Sequence, residues 1–357
     1  MQHKRKSGAL LEETLNAIKG ADKSVEKAAL ERQNQLTKPQ GSLGRLEECS
    51  VKYAAARGEL FAKPVKPAIL AFAGDHGVVE EGVSAFPKEV TVQMAANMSR
   101  GGAGVCVLAR HAGATLKVID LGIAAPCEFP GVLNRKIAFG TANMTKGPAM
   151  THEQCVQALE AGIDEALKAV EEGSTLLGTG DLGIGNTTPS AALYCAFLGT
   201  SPEETVGRGT GVDDAGLKRK ADAVRRALEI NKVSEKTPLE VLAAVGGYEI
   251  AGICGAILGA ASKRVPIVVD GFISGAGAVA ATRMKPEVMD YCFFSHLSAE
   301  AGHVNAMKAL GARPLLGLDF RLGEGTGAAM AFNVVIAGTK ILQEMATFAE
   351  AGVSEKD

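Results

Sequence analysis

The stretch STLLGTGDLGIGNTT, residues 174–188, joins a short apolar run to a glycine-rich turn, and an apolar helical pattern, SAALYCAFLG, continues it over residues 190–199. An apolar run that ends in glycine and an acid before a helical pattern is typical of a strand–turn–helix unit. Gly178, Gly180 and Gly183 also satisfy G-x-G-x-x-G, in which glycines bring a pyrophosphate onto a helix N-terminus. The stretch therefore predicts an α/β unit with a phosphate-binding turn.

Five further runs of this kind occur along the chain, each followed by a helical pattern. They are AILAFAGDHG from Ala68, TLKVIDLG from Thr115, VPIVVDG from Val265, YCFFSH from Tyr291 and PLLGLD from Pro314. Such alternation is typical of a mostly parallel sheet with helices on both faces. The sequence predicts an α/β fold with a doubly wound, Rossmann-like sheet of about six strands.

Helical patterns flank this central region at both ends of the chain. Residues 7–35 read as two helices, and residues 328–349 read as one long helix. We expect the N-terminal segment, residues 1–60, and the C-terminal segment, residues 328–357, to form a small helical subdomain. The large α/β domain, residues 61–327, then carries the active site.

Composition limits the classes of function. The formal net charge is -2, so no generic surface for nucleic acid is indicated. The 7 cysteines form no C-x-x-C pair, which favours reduced core thiols in a cytoplasmic protein. The N-terminal MQHKRKSGALLEETL lacks the apolar segment of an export signal, and the apolar segment at residues 249–261 is too short to span a bilayer. We expect a cytoplasmic protein with no membrane and no nucleic-acid partner.

Polar side chains follow the ends of the apolar runs, where a doubly wound sheet binds its ligands. They are Asp75, His76, Asp120, Asp181, Asn186, Asp270, His296, Asp319 and Glu324. Asp, Asn and Ser are also favoured as helix caps and in turns, so each has a structural explanation as well. Because six strand ends point the same way, we expect a few of these residues to be functional.

The dinucleotide interpretation of the glycine fingerprint is disfavoured by its context. The glycines come in the middle of the chain, and the acids about 20 positions later, Glu203 and Glu204, do not end a strand. A single phosphate at the helix N-terminus after residues 183–188 agrees better with the residues. The basic segment at residues 207–220 supplies a cation to that phosphate or forms a solvated helix face.

A third cluster, LDFRLGEGTGAAMAF, holds Glu324 between Gly323 and Gly325. A carboxylate with few side chains near it to solvate it has a raised pKa, which suits general-base catalysis. A carboxylate at a helix N-terminus has instead a lowered pKa, because the macrodipole favours its charge. The sequence therefore leaves open whether the pKa of Glu324 is raised or lowered.

These segments together resemble the nicotinate-nucleotide:dimethylbenzimidazole phosphoribosyltransferase family. The resemblance rests on LTKPQGSLGRLE, FAGDHGVVEEGVSAFPKEVTVQM, GTANMTKGPAM, GTGDLGIGNTT, VGRGTGVDD, VGGYEIAG, VVDGFIS, SHLSAEAGH and LGLDFRLGEGTGAA, which follow one another in the family's order over most of the chain. It implies transfer of the 5-phosphoribosyl group of nicotinate mononucleotide to 5,6-dimethylbenzimidazole, giving α-ribazole 5′-phosphate and nicotinate for the lower ligand of cobalamin. It also implies a homodimer that needs no cofactor. A different preferred base (another benzimidazole, a purine or a phenol) and a non-catalytic base-binding paralogue are the alternatives.

The resemblance assigns roles to individual residues. Glu324 occupies the position of the general base, and Asp181, also catalytic, stands where the family commonly has glutamate. Residues expected around the phosphoribosyl group are Gly183, Gly185, Asn186, Lys220 and Ser298, with Asp270 near the site. The pocket for the base is expected from Ser84, Gln93 and Leu322, with Phe86 and Met94 as apolar neighbours. His76 and His303 are interpreted as hydrogen-bonding residues, and no metal site is expected.

Overall fold

The computed structural model of the chain describes residues 7–354. Its centre is one sheet whose strands are, in chain order, β1 Pro67–Gly74, β2 Thr115–Gly122, β3 Val132–Asn134, β4 Leu176–Leu182, β5 Ile267–Val269 and β6 Cys292–Phe294. Every neighbouring pair is parallel, and the spatial order is β3-β2-β1-β4-β5-β6. The predicted doubly wound α/β fold is confirmed, and the sheet is entirely parallel.

Helices cover both faces of this sheet. Their bounds are α1 Ala9–Ala17, α2 Lys23–Gln35, α3 Arg45–Arg57, α4 Glu89–Ser99, α5 Gly104–His111, α6 His152–Glu171, α7 Thr187–Leu198, α8 Pro202–Thr205, α9 Asp214–Ile230, α10 Pro238–Val245, α11 Tyr248–Ser262, α12 Phe272–Met284, α13 Ala301–Ala309, α14 Thr326–Glu344 and α15 Phe348–Ala351. Short 3-10 turns lie at Gly77–Glu81, Val233–Glu235 and Pro286–Asp290. Across residues 7–354, no helix has both the length and the apolar character needed to cross a bilayer.

One of the six predicted strands, the run from Pro314, is not in the sheet, and another segment is there instead. The run PLLGLD forms no strand; Leu316 makes a single parallel bridge to His296, and Asp319 has a positive φ of 54°. The one strand that the sequence did not predict is β3. It is short and partly exposed, so its residues show no apolar run. Main-chain pairing with β2 holds it in the sheet, and that pairing leaves no signal in residue type.

The layer that contains α6 and α11 is apolar and rich in glycine because the backbones of these two helices approach each other closely. Helix α11 is buried along nearly its whole length and crosses α6 at glycines. A Cβ on Gly162 would lie 2.0 Å from the carbonyl oxygen of Gly252, and one on Gly255 would lie 2.0 Å from that of Leu159. Only residues without a side chain allow this crossing. The strands between the layers are buried on both faces, which is why β1 reads as a continuous apolar run.

The helices of the N- and C-terminal segments pack in two different parts of the structure. Ala29 of α2, Val51 and Ala54 of α3 and Leu342 of α14 form a small separate apolar cluster. Helix α1 lies instead on the large layer, where the backbone N–H of Leu10 donates to Glu160 of α6. The predicted division at residues 327/328 falls inside α14, whose first half packs on the sheet, and the domain boundaries stay predictions.

The strand order places the ligand-binding edge. From β1 the chain proceeds to β2 and β3 on one side, and from β4 to β5 and β6 on the other. Between β1 and β4 the order therefore reverses, and in open parallel sheets the crevice at such a switch point binds ligands. The segments after β1, β4, β5 and β6 meet there.

Candidate active site

A cleft of about 480 Å³ opens at this edge of the sheet, a size typical of small-molecule sites. Its lining combines apolar and polar side chains with exposed backbone. The lining residues are Phe86, Val90, Met94, Asp181, Leu182, Gly183, Ile184, Asn186, Thr187, Gly209, Thr210, Gly271, Phe272, Ile273, His296, Ser298, Glu300, Arg321, Leu322, Gly323 and Glu324. Of the predicted site residues, the cleft brings together Asp181, Gly183, Asn186, Ser298, Leu322 and Glu324.

The turn at residues 323–325, called here the acidic turn, has an unusual backbone. Gly323, Glu324 and Gly325 have φ values of 79°, 63° and 102°, so a glutamate stands in the left-handed region between two glycines. Such a conformation costs free energy for a side-chain-bearing residue and clusters at functional sites. The N–H of Glu324 donates to the carbonyl oxygen of Asp181 at 3.2 Å, which docks the turn on the end of β4.

The three fingerprint glycines serve contacts within the protein. A Cβ on Gly180 would lie 2.2 Å from the carbonyl oxygen of Glu324, and one on Gly178 would lie 2.7 Å from the ring of Phe332. A Cβ on Gly183 would lie 2.2 Å from the carbonyl oxygen of Gly74. The G-x-G-x-x-G spacing thus arises from packing of the acidic turn, α14 and β1 against β4 and the loop after it.

Glu324 is buried in the cleft wall, with 5% of its surface exposed. Its Oε2 accepts the backbone N–H of Val105 at 3.0 Å, at the beginning of α5. Burial raises the pKa of Glu324, and the N–H groups of Val105 and Gly104 oppose the rise only in part. Burial therefore determines the direction of the shift, which the sequence left open. A carboxyl with a raised pKa can take up a proton near neutral pH.

Asp181 lies beside the acidic turn at the end of β4. Its Oδ2 accepts a hydrogen bond from Asn186 Nδ2 at 2.9 Å. Burial, and next the charge of Asp270, hold the pKa of Asp181 well above its usual value, and Glu324 adds to the rise. Two neighbouring buried carboxyls do not both ionise readily, so the site favours one negative charge over two.

Asp270 follows β5 and lies behind the cleft wall. Its Oδ2 accepts the N–H of Gly325, and its Oδ1 accepts the N–H of Ala328, both at 3.1 Å. Burial raises the pKa of Asp270 to about 7, against the effect of these backbone donors. The side chain caps the beginning of α14 and so positions the acidic turn.

The loop at residues 183–186, called here the glycine loop, leads into α7. Gly185 has φ +88°, and a Cβ there would lie 2.6 Å from Val79. Asn186 precedes the first helical residue, Thr187, and both residues line the cleft, so the beginning of α7 borders it. A helix N-terminus with this lining is an anion-binding arrangement.

Lys220 is the inward-facing cation of the basic segment. It is fully buried, whereas Lys218 and Arg219 are exposed. Its Nζ donates to Thr187 Oγ1 at 2.8 Å and to the carbonyl oxygen of Gly207 at 2.7 Å. Burial lowers the pKa of Lys220 to about 8. The ammonium group thus lies directly behind the residues that begin α7.

Ser298 and the two histidines have protein partners. The N–H of Ser298 donates to His303 Nδ1 at 2.9 Å, and burial lowers the pKa of His303 to about 3, so its ring is neutral. His76 Nε2 lies 2.7 Å from Glu249 Oε1, with both side chains buried. Among the residues that the structure describes, no group of three or more His, Cys, Asp or Glu side chains is arranged to hold a metal ion.

The residues expected to bind the base are only partly at the cleft. Phe86, Met94 and Leu322 line it. Ser84 is near its rim, where its Oγ donates to the carbonyl oxygen of Phe86 at 3.0 Å and lies 3.3 Å from Thr210 Oγ1. Gln93 is exposed on α4, next to Met94 in the chain, and does not line the cleft. Its place in a base pocket stays a prediction.

Several lining residues were given no individual role from the sequence, although His296 was among the polar residues noted after the apolar runs. The ring of His296 stacks on Phe320 at 4.2 Å, and burial lowers the pKa of His296 to about 4. Its place directly after an apolar run was the available signal. Arg321 Nη1 donates to the carbonyl oxygen of Gly209 at 2.7 Å and joins two loops across the cleft. Nothing in its residue type or spacing distinguishes this arginine from a surface one.

Comparison with known proteins identifies the family. A phosphoribosyltransferase family model, DBI_PRT, matches residues 18–353. The chain is 54% identical to a nicotinate-nucleotide–dimethylbenzimidazole phosphoribosyltransferase of Prosthecochloris aestuarii over 97% of its own length and 98% of the relative's. A protein of the same name from Geobacter metallireducens is 52% identical, with 97% and 98% covered.

Solved structures agree with these relatives. The crystal structure of the enzyme of that name from Thermus thermophilus superposes with a TM-score of 0.89 at 47% identity, covering 94% of this chain and 100% of that one. The family model and the relatives each cover nearly the whole length, so the match includes the cleft as well as the fold. The chain belongs to the DBI_PRT phosphoribosyltransferase family and is an enzyme of that class.

Proposed function

We propose that this enzyme transfers the 5-phosphoribosyl group of nicotinate mononucleotide to 5,6-dimethylbenzimidazole, giving α-ribazole 5′-phosphate and nicotinate, in assembly of the lower ligand of cobalamin. The observation that carries the proposal is the buried Glu324 carboxyl, which faces the same cleft as the glycine loop and the start of α7. The names of the relatives at about half identity support the choice of substrates.

The phosphoribosyl donor lies along the glycine loop in this proposal. The phosphate accepts hydrogen bonds from the backbone at Gly183 and Gly185 and from the first turn of α7. Lys220, behind Thr187, adds a positive charge while it is protonated. Ser298, across the cleft, offers a hydroxyl to the same group. Asn186 holds Asp181 and keeps the loop in place.

The chemical step then balances without a further reactant. The bond between the anomeric carbon and the pyridinium nitrogen breaks, and its electron pair neutralises the ring, so nicotinate leaves without needing a proton. A ring nitrogen of the benzimidazole forms the new bond to that carbon from the opposite face. The proton on the other ring nitrogen passes to Glu324, which acts as the general base.

Asp181 supports this step by its protonation state. Burial and the charge of Asp270 raise the pKa of Asp181 well above its usual value, and the proposal therefore assigns the proton of the pair to Asp181. Glu324, whose pKa rises from burial alone and is opposed by two N–H groups, takes the single negative charge. Asp270 acts through the backbone of the acidic turn and is a positioning residue.

The acceptor base fits the apolar end of the cleft. Phe86, Val90, Met94 and Leu322 border it, and a flat bicyclic aromatic needs such a slot with a few polar groups. Ser84 and Gln93 are the predicted polar groups, and Ser84 reaches the rim next to Thr210.

The test is a competition among acceptor bases. Purified protein receives nicotinate mononucleotide and an equimolar mixture of 5,6-dimethylbenzimidazole, 5-hydroxybenzimidazole, adenine and phenol, and products are separated by mass. A dominant α-ribazole 5′-phosphate supports the proposal. Another dominant riboside keeps the reaction but refutes the assigned base, and no riboside with no nicotinate released refutes the reaction in favour of a non-catalytic binder.

The quaternary structure and compartment are part of the proposal. A homodimer is expected from the family resemblance, and light scattering behind a sizing column tests it through the molar mass in solution. The cytoplasm is expected because all seven cysteines are free and buried rather than paired. Fractionation of cells that express the chain tests this location.

A further inference from the structure

We propose that Thr91 is a positioning residue that holds the base side and the phosphoribosyl side of the cleft in register through one hydroxyl group. The inference rests on the proposed function, because that function assigns the two sides. Thr91 is in α4, is fully buried and does not line the cleft. It therefore acts through its neighbours.

The hydroxyl makes two hydrogen bonds to two different segments. Thr91 Oγ1 donates to Asp75 Oδ1 at 2.6 Å, and it accepts the backbone N–H of Ile184 at 3.1 Å. A threonine inside a helix commonly donates to a carbonyl oxygen of its own helix one turn earlier. Here the donor bond leaves the helix, which makes Thr91 a link between elements.

Asp75 anchors the link to the sheet. It follows β1 directly, it is buried, and its Oδ2 accepts the N–H of Ala124 at 2.8 Å in the segment after β2. Both carboxylate oxygens are thus used within the protein. The link therefore begins at the carboxyl ends of the two strands on one side of the switch point.

Ile184 carries the link to the glycine loop. Ile184 stands between Gly183 and Gly185 in the chain, and it lines the cleft. The loop crosses β1 in direct backbone contact, because a Cβ on Gly183 would lie 2.2 Å from the carbonyl oxygen of Gly74. A loop with glycines on both sides of Ile184 has considerable backbone freedom, so a hydrogen bond at this N–H restricts it strongly.

The other end of the link is the wall of the base slot. Val90 precedes Thr91 and Met94 follows it by three residues, and both line the cleft from α4. A shift of α4 relative to the glycine loop would move the acceptor nitrogen relative to the anomeric carbon. Because reactivity falls steeply with misplacement of the reacting atoms by about 1 Å, the link serves the rate more than the affinity of either substrate.

The test compares two substitutions at Thr91 with a matched control. Thr91→Val keeps the shape and removes both hydrogen bonds, whereas Thr91→Ser keeps the hydroxyl. Thr339→Val is the control, because Thr339 is also buried in a helix and its hydroxyl donates only to the carbonyl oxygen of Ile336. We expect Thr91→Val to lower kcat by roughly 10- to 100-fold with much smaller changes in KM. Thr91→Ser and Thr339→Val retain activity within about threefold of the parent.

Amide hydrogen exchange at Ile184 provides a readout that needs no substrate. Loss of its acceptor in Thr91→Val speeds exchange at residue 184 by at least about tenfold, and neither Thr91→Ser nor Thr339→Val does so. If the parent enzyme forms no riboside, the proposed function fails while this measurement still judges the link.

Two results overturn the inference: unchanged exchange at Ile184 in Thr91→Val or, when the parent is active, a kcat for Thr91→Val equal to that of Thr91→Ser. Should Thr91→Val not accumulate in folded form, Thr91→Cys replaces it, since a thiol is a weak donor and acceptor of similar size. The same two comparisons then decide.

Discussion

Replacing Glu324 with glutamine tests the chemistry of the acidic turn with little change in shape. The buried carboxyl accepts the N–H of Val105 at 3.0 Å through one oxygen. A glutamine can present its carbonyl oxygen to the same donor, so the turn keeps its docking on α5. What it lacks is an oxygen that can take a proton from the acceptor base.

The expected loss follows from that single change. General-base catalysis contributes about 10²- to 10⁴-fold, so kcat should fall by at least about 100-fold, or about 2.7 kcal/mol of transition-state stabilisation. The pH dependence of the activity gives an independent test of the same role. The pKa of Glu324 is raised above 4.5, and the charged form is the active one. Activity of the parent enzyme should therefore fall as pH falls through that raised pKa, and the glutamine variant should lack this acid limb.

The assay is initial-rate formation of α-ribazole 5′-phosphate between pH 5 and 9, with circular dichroism to confirm folding. Asp319→Asn serves as control, because Asp319 is exposed in the same loop, also has a positive φ, and does not line the cleft. It should behave like the parent. A Glu324→Gln variant with kcat within about threefold of the parent, or with an intact acid limb, would refute the general-base role.

Three other changes test the surroundings of the acidic turn. Asp270→Asn replaces one of two accepting oxygens with a donor that faces an N–H of α14, so denaturant unfolding should show a loss of about 1–2 kcal/mol. Because folding raises the pKa of Asp270 from 3.8 to about 7, the carboxyl's contribution to stability declines as pH rises from about 4 to about 7 and is level above that. The loss on substitution should shrink over the same range, and a constant loss would contradict this. Lys220→Met should lower kcat/KM for nicotinate mononucleotide. We expect the activity of the parent to decline above about pH 8, where Lys220 loses its charge, and this decline should be absent from the variant; a decline that persists refutes Lys220 as its source. Gly180→Ala places a Cβ against the carbonyl oxygen of Glu324, so kcat should fall on the order of 10- to 100-fold. Calorimetry should show that binding of nicotinate mononucleotide is retained. An unchanged kcat would show that the acidic turn need not dock on β4.

Local pattern accounts for the parts of the fold that the sequence predicted. Five of the six apolar runs are strands, since a strand buried on both faces must be apolar along its length. The run from Pro314 and the strand β3 show the limit of that rule. An apolar segment can line a cleft instead of entering the sheet, and a short edge strand can be held by main-chain bonds alone.

The glycine fingerprint shows the same limit in the site. The sequence located the glycines, and their context disfavoured the dinucleotide interpretation. The structure supplies the reason for their presence, which is contact with Phe332, the acidic turn and β1. These partners are remote along the chain, so spacing alone could not name them.

The sequence by itself determined the fold class and the family, and it predicted Glu324 as the general base, because each depends on residue order that can be read locally. The strand order, the direction of the pKa shift of Glu324 and the burial of Lys220 beside its exposed neighbours were decided only by the tertiary structure. The link through Thr91 belongs to the same group. Burial, charge proximity and hydrogen bonds between distant segments depend on distances in space, and these arise only when the chain folds.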